Sequence, residues 1–165
     1  MTRTRTYSWS DPLATAAGVG KFSGIDMLQA LVRGELPPPP IMQTLGMDGF
    51  ELVEEGRAAF TMRAQEFHYN PIGSVHGGVI ATLLDSAAGC AVHSTLPTGW
   101  GYTTLDLTTK YLRPATVDSG VLRCEGTVIN RGRTTALAEA RLFDETGRLL
   151  AYASSSCLLF PLPPA

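Results

Sequence analysis

The sequence predicts an α+β chain in which a curved antiparallel sheet wraps around one long central helix, with an extra helix before it. Two observations carry this expectation. The stretch from about Val75 to Thr95 is apolar nearly all round and too long for a strand, so it reads as a helix covered on most sides. After it come four β-rich segments joined by short turns, the pattern of an antiparallel sheet. A single sheet covers only part of such a helix, so a further partner surface is expected.

Element by element, residues 1 to about 20 read as a loosely ordered lead-in. Ile25 to Arg33 has helical spacing, with Ile25, Leu28, Leu31 and Val32 on one face and Gly34 as a stop. The run Pro37-Pro38-Pro39-Pro40 enforces an extended connector, neither strand nor helix. This divides the chain into an extension (1–40) and a main domain (41–165). Gly49 to Val53 and Gly56 to Met62 are two short strands joined across Glu54-Glu55. Phe67 to Ser74 is a loop marked by Asn70-Pro71-Ile72-Gly73, and Pro97-Thr98-Gly99 breaks the long helix that follows. The last strands are Tyr102 to Leu112, Gly120 to Ile129, Thr134 to Phe143 and Leu149 to Phe160. In the third of these Ala136, Ala138, Ala140 and Leu142 alternate onto one face. Asn130-Arg131-Gly132-Arg133 reads as a tight hairpin, and Asp144-Glu145-Thr146-Gly147 as a second turn.

Composition narrows the function. A chain of 165 residues, 44% apolar and 17% charged, suits an ordered domain with a sizeable core. A net charge of −2 argues against nucleic-acid binding. Cys90, Cys124 and Cys157 fit no disulfide framework or zinc pattern, which points to small apolar packing and a reducing, cytoplasmic setting. The segment after Arg5 has no apolar export core, and Gly77 to Val92 is too short to span a bilayer, so no membrane association is expected.

One residue stands out. Between Glu66 and Asp106 the only formally charged side chain is Asp85, inside the apolar helix. Positions three and four away are Ala81, Thr82, Ala88 and Gly89, so no basic partner lies within helical reach. A desolvated carboxylate is costly unless paired or used, which makes Asp85 a candidate base or nucleophile. The structural alternative is an aspartate hydrogen-bonded to Thr82 or Ser86. Upstream, His76-Gly77-Gly78 opens the helix. Two glycines permit close backbone approach, and first-turn N–H groups can hold a developing oxyanion. Eight residues place Gly77 ~12 Å from Asp85 along the axis. One carbonyl cannot meet both on one helix, whereas two antiparallel helices across a two-fold axis could bring Gly77 of one subunit beside Asp85 of the other. His76 suits substrate contact, loop anchoring or proton transfer. A metal site from His76, Asp85 and His93 lacks the required spacing. No Gly-x-Ser-x-Gly elbow, dinucleotide fingerprint or phosphate loop occurs. Arg131-Gly132-Arg133-Thr134 gathers two guanidinium groups at a turn, suited to phosphate or simply to solvent, and Arg113-Pro114 is open in the same way.

Taken together, Asn70-Pro71-Ile72-Gly73-Ser74-Val75-His76-Gly77-Gly78, Thr82-Leu83-Leu84-Asp85, Tyr102-Thr103-Thr104-Leu105-Asp106-Leu107 and Tyr111-Leu112-Arg113-Pro114 resemble the hotdog-fold acyl-CoA thioesterases of the phenylacetate-pathway (PaaI) type. The resemblance covers about Pro38 to Phe160. It implies hydrolysis of acyl-CoA with no metal or cofactor, by subunits whose sheets run together in a homodimer or a dimer of dimers. By position it makes Asp85 the catalytic carboxylate and Gly77 the N–H donor to the thioester carbonyl. Asn70 would place carbonyl or water, Thr104 would orient the water, and His76 would support the site. Gly78, Thr103, Arg113, Arg131, Arg133 and Thr134 would meet substrate. A hotdog dehydratase fits less well, because it wants a histidine paired with an acid. A non-catalytic acyl-CoA sensor on the same fold is the alternative of another class; in it, Asp85→Asn would change little.

Overall fold

The structure, a computed structural model, describes residues 1–163. Its helices are α1 (Pro12–Ala16), α2 (Gly24–Val32), α3 (Pro40–Leu45) and α4 (Gly77–His93). Its strands are β1 (Gly49–Glu54), β2 (Arg57–Arg63), β3 (Trp100–Tyr111), β4 (Val121–Arg131), β5 (Thr135–Phe143) and β6 (Leu149–Pro161). Single 3₁₀ turns occur at Glu66–His68 and Val117–Ser119.

All six strands form one antiparallel sheet in the order β1-β2-β4-β5-β6-β3. Strand β3 therefore lies at an edge, although it precedes β4 in the chain. The sheet curls around α4, whose Leu83, Leu84, Ala87, Ala88, Ala91 and Val92 are fully buried. The alternation expected in β5 holds: Ala136, Ala138, Ala140 and Leu142 all face the core. Small side chains there let the helix lie close. The tightest point is Gly126 of β4, where an added Cβ would come within 2.1 Å of the Ala87 carbonyl oxygen.

The β1–β2 hairpin turns at Glu55-Gly56, with Gly56 at φ 77°, and the Gly56 N–H donates to Ser94 Oγ at 2.7 Å. That bond ties the hairpin to the C-terminal end of α4. A bulge between Thr104 and Asp106 shifts the phase of β3. Tyr102 and Thr104 before it, and Leu107 and Thr109 after it, face inward, while Thr103, Leu105 and Asp106 are exposed.

The N-terminal region departs from expectation. The lead-in contains α1, capped by Asp11, which accepts from the Leu13 N–H at 2.9 Å. The proline run is not a uniform spacer, because Pro40 opens α3 as its first residue, where a proline has no helical N–H bond to lose. The division at residue 40 thus falls at a helix start. Helix α2 buries Gly24, Met27, Leu28 and Ala30, whereas Val32 is exposed. Gly24 sits directly against α4, where a Cβ would lie 1.6 Å from the His93 carbonyl oxygen. The buried face of α2 therefore includes Gly24 and Met27 and leaves out Val32, unlike the face its spacing suggested.

Candidate active site

The start of α4 is built by its preceding loop. Asn70 Oδ1 accepts from the N–H groups of Ile72 (3.1 Å) and Ser74 (3.2 Å), and Asn70 Nδ2 donates to Ser74 Oγ at 3.1 Å. The Asn70 carboxamide thus folds its own loop. The backbone N–H of His76 donates to the His68 carbonyl at 2.8 Å. His68 is buried in turn, its Nδ1 accepting from Gln65 N–H at 3.1 Å and its Nε2 lying 2.7 Å from the Leu45 carbonyl. A neutral ring with its proton on Nε2 satisfies both contacts.

His76 is the N-cap of α4, and its Nδ1 accepts from the Gly78 N–H at 2.9 Å. Gly78's N–H is thereby engaged. The N–H of Gly77, at the first helical position, has no intrahelical acceptor and makes no hydrogen bond among the described residues. It also sits at the positive end of the helix dipole. Tyr111 packs beside it, its hydroxyl donating to the Gly77 carbonyl at 3.0 Å. Gly77, Asn70, Ile80, Tyr111 and Arg113 line a cleft of about 340 Å³. Arg113 is held there by donating to the Leu149 carbonyl at 2.7 Å.

Asp85 is not in that cleft. It is half-buried on the face of α4 toward β3, where Asp85 Oδ1 accepts from Thr104 Oγ1 at 3.0 Å. Its hydrogen-bond partner is thus neither Thr82 nor Ser86, and Thr82 Oγ1 instead donates to the Gly78 carbonyl at 2.9 Å. The carboxylate also faces Cys90, whose thiol is pushed up to about 12 by burial and by Asp85, and therefore stays protonated.

The remaining residues are spread out. Thr103 is exposed and points to the opposite side of β3 from Thr104. Arg131 ends β4, so the turn itself is Gly132 to Thr134, and Arg131, Arg133 and Thr134 are all exposed. This turn lies in line with the carboxylate end of β3, because Thr135 pairs with Leu158 and Leu158 with Thr103. Sequence reasoning missed the stacking of Tyr111 on Gly77 and of Tyr102 on Gly89. Both depend on long-range packing that no local pattern announces.

Residues 72–151 match the Thioesterase superfamily. Human acyl-coenzyme A thioesterase 13 is 31% identical over 97 residues, which is 58% of this chain and 68% of that protein. An esterase-named protein of Halobacterium salinarum is 45% identical over 69 residues, or 41% of this chain, and the match spans only 44% of that relative's length. Among solved structures, a phenylacetic acid degradation-related protein of Ralstonia eutropha superposes with a TM-score of 0.72 at 32% identity, covering 79% of this chain and 98% of that one. The chain belongs to the thioesterase superfamily and has the hotdog fold.

Proposed function

We propose that the protein hydrolyses acyl-CoA thioesters to the free acid and CoA, in an active site shared between two subunits. Asp85 is the base that takes a proton from water, or the nucleophile itself. Thr104 holds the carboxylate and the water, and the Gly77 N–H of the partner subunit polarises the thioester carbonyl. In the base route, water adds to the carbonyl carbon as its proton passes to Asp85, the C–S bond breaks, and the leaving CoA thiolate takes that proton back from Asp85. The chemistry uses water and these groups, with no cofactor beyond the CoA in the substrate. Arg113 at the cleft, and Arg131, Arg133 and Thr134 at the turn, are the candidate CoA contacts.

The observation that carries this reading is the split site: a carboxylate held by a hydroxyl and, about 12 Å up the same helix, an N–H with no acceptor. Two antiparallel copies of α4 would reunite them and cover the open helix face. The edge position of β3 suits a dimer whose sheets run together, and such dimers could associate further into a dimer of dimers. The human relative's name, an acyl-coenzyme A thioesterase, supports the substrate class. The three free cysteines support a reducing, cytoplasmic setting. Among the described residues no helix is long and apolar enough to cross a membrane.

The test is thiol release from a panel of acyl-CoAs by wild type and Asp85→Asn. Turnover should fall by orders of magnitude with the fold and CoA-ester binding retained. Turnover unaffected by the change would make Asp85 structural, and binding without turnover in wild type would favour a sensor. Mixing Asp85→Asn with a Gly77→Pro variant, which lacks that N–H, should restore part of the activity if sites are shared.

A further inference from the structure

The Asp85–Thr104 contact is one rung between α4 and β3, and the next rung is closed. Gly89 lies four residues beyond Asp85, one helical turn further on the same side. Tyr102 lies two residues before Thr104, on the same face of β3. Tyr102 accordingly meets Gly89 much as Thr104 meets Asp85. The contact is tight: a Cβ on Gly89 would lie 2.6 Å from Tyr102 Oη and 3.0 Å from Cε2. The ring therefore rests on bare helix backbone. Behind it His93 supports the ring, with centroids 5.6 Å apart. Burial, with the neighbouring Cys90, Cys157 and Asp85, holds the Tyr102 phenol well above its ordinary range, so it stays neutral.

We infer that Tyr102, seated on Gly89, is the end wall of the acyl pocket and limits the substrate to short acyl chains. This rests on Asp85 being the hydrolytic carboxylate. The thioester carbonyl must then sit at the Asp85–Thr104 rung, with its acyl group between α4 and β3. In that direction the wall stands one helical turn away, ~5.4 Å between centres, so only a short chain fits before it. A longer chain must displace a ring braced by His93. Gly89 sets the ring's seat, because a Cβ there would lie 2.6 Å from Tyr102 Oη and the ring would have to shift.

Straight-chain esters from butyryl- to dodecanoyl-CoA test this, with kcat/KM measured beside the Kd of the matching non-hydrolysable thioether analogues. Wild type should favour short chains, and Tyr102→Phe, which keeps the ring, should keep that profile. Tyr102→Ala should raise the octanoyl-to-butyryl ratio by ~10-fold or more, the gain expected from burying two or more further methylenes. Gly89→Ala should move the profile the opposite way, toward acetyl. If Tyr102→Ala fails to fold, Tyr102→Leu and Gly89→Ala carry the same comparison. A wild type that prefers dodecanoyl chains, or a folded Tyr102→Ala with an unchanged profile, overturns the wall. If Asp85→Asn still abolishes turnover in that case, the hydrolytic reading survives alone. No affinity for any acyl-CoA overturns both.

Discussion

Gly126→Ala places one methyl group between the sheet and the helix that carries both Gly77 and Asp85. The added Cβ would lie 2.1 Å from the Ala87 carbonyl oxygen, 2.3 Å from its carbon and 2.7 Å from the Ala88 nitrogen. These are backbone atoms in the middle of α4, so no rotamer change relieves the clash. Ordinary contact begins near 3.4 Å, so helix and sheet must part by about 1.3 Å. Such overpacking costs about 1–3 kcal/mol. At roughly 2–4 °C per kcal/mol for a chain of this size, Tm should fall by about 2–12 °C. In urea the midpoint should drop with little change in slope, since the surface exposed on unfolding is nearly the same. The site should suffer separately. A shift of ~1 Å in α4 moves Asp85 relative to Thr104, and a misplacement of that size can cost ~100-fold in rate. Thiol release would be measured well below the variant's melting transition, so that lost rate is not lost protein. A variant with unchanged midpoint and unchanged turnover would refute the claim that this helix-to-sheet contact positions the site.

Two further outcomes are expected. Thr104→Val removes the hydroxyl that donates to Asp85 at 3.0 Å. Losing a hydrogen bond to a charged group is worth ~1.5–3 kcal/mol, so kcat should fall ~10–100-fold while the fold persists; wild-type kcat would remove Thr104 from the mechanism. The second concerns pH. Burial is the leading cause holding His68 below its ordinary range, with Arg5 adding to it against the Leu45 hydrogen bond, and burial does the same to His93. Both rings are thus neutral when folded, while the unfolded chain takes up protons below about pH 6.5. Their contribution to stability is complete above that pH and is lost as pH falls through the depressed folded values. Urea midpoints should decline from pH 7.5 toward 5, and less steeply in His68→Leu; a midpoint that rises on acidification would contradict the assignment.

Much of the architecture was legible locally. The apolar run with one acid became α4, and the small residues alternating along β5 became its seat. The turn chemistry at Asn130–Arg133 and Asp144–Gly147 placed the last hairpins within a residue or two. Less legible was β3, because the bulge at Leu105 breaks its alternation and hides which threonine faces inward. The proline run departs from the expected connector at its last residue, since a proline that blocks a helix interior is well suited to begin a helix, as Pro40 does in α3.

Near neighbours along the chain set the helix and its lone carboxylate, the free N–H at its glycine start, and the distance between them along one axis. Long-range packing sets which groups meet. Asp85 is held by Thr104, nineteen positions away, rather than by a hydroxyl on its own helix. Tyr102 lies on Gly89, and the Tyr111 hydroxyl donates to the Gly77 carbonyl. Periodicity and propensity act within a turn or a strand, whereas these contacts depend on how β3 is registered against β6 and how closely α4 sits on Gly126. Register and approach are properties of the packed sheet, and no stretch of chain carries them alone.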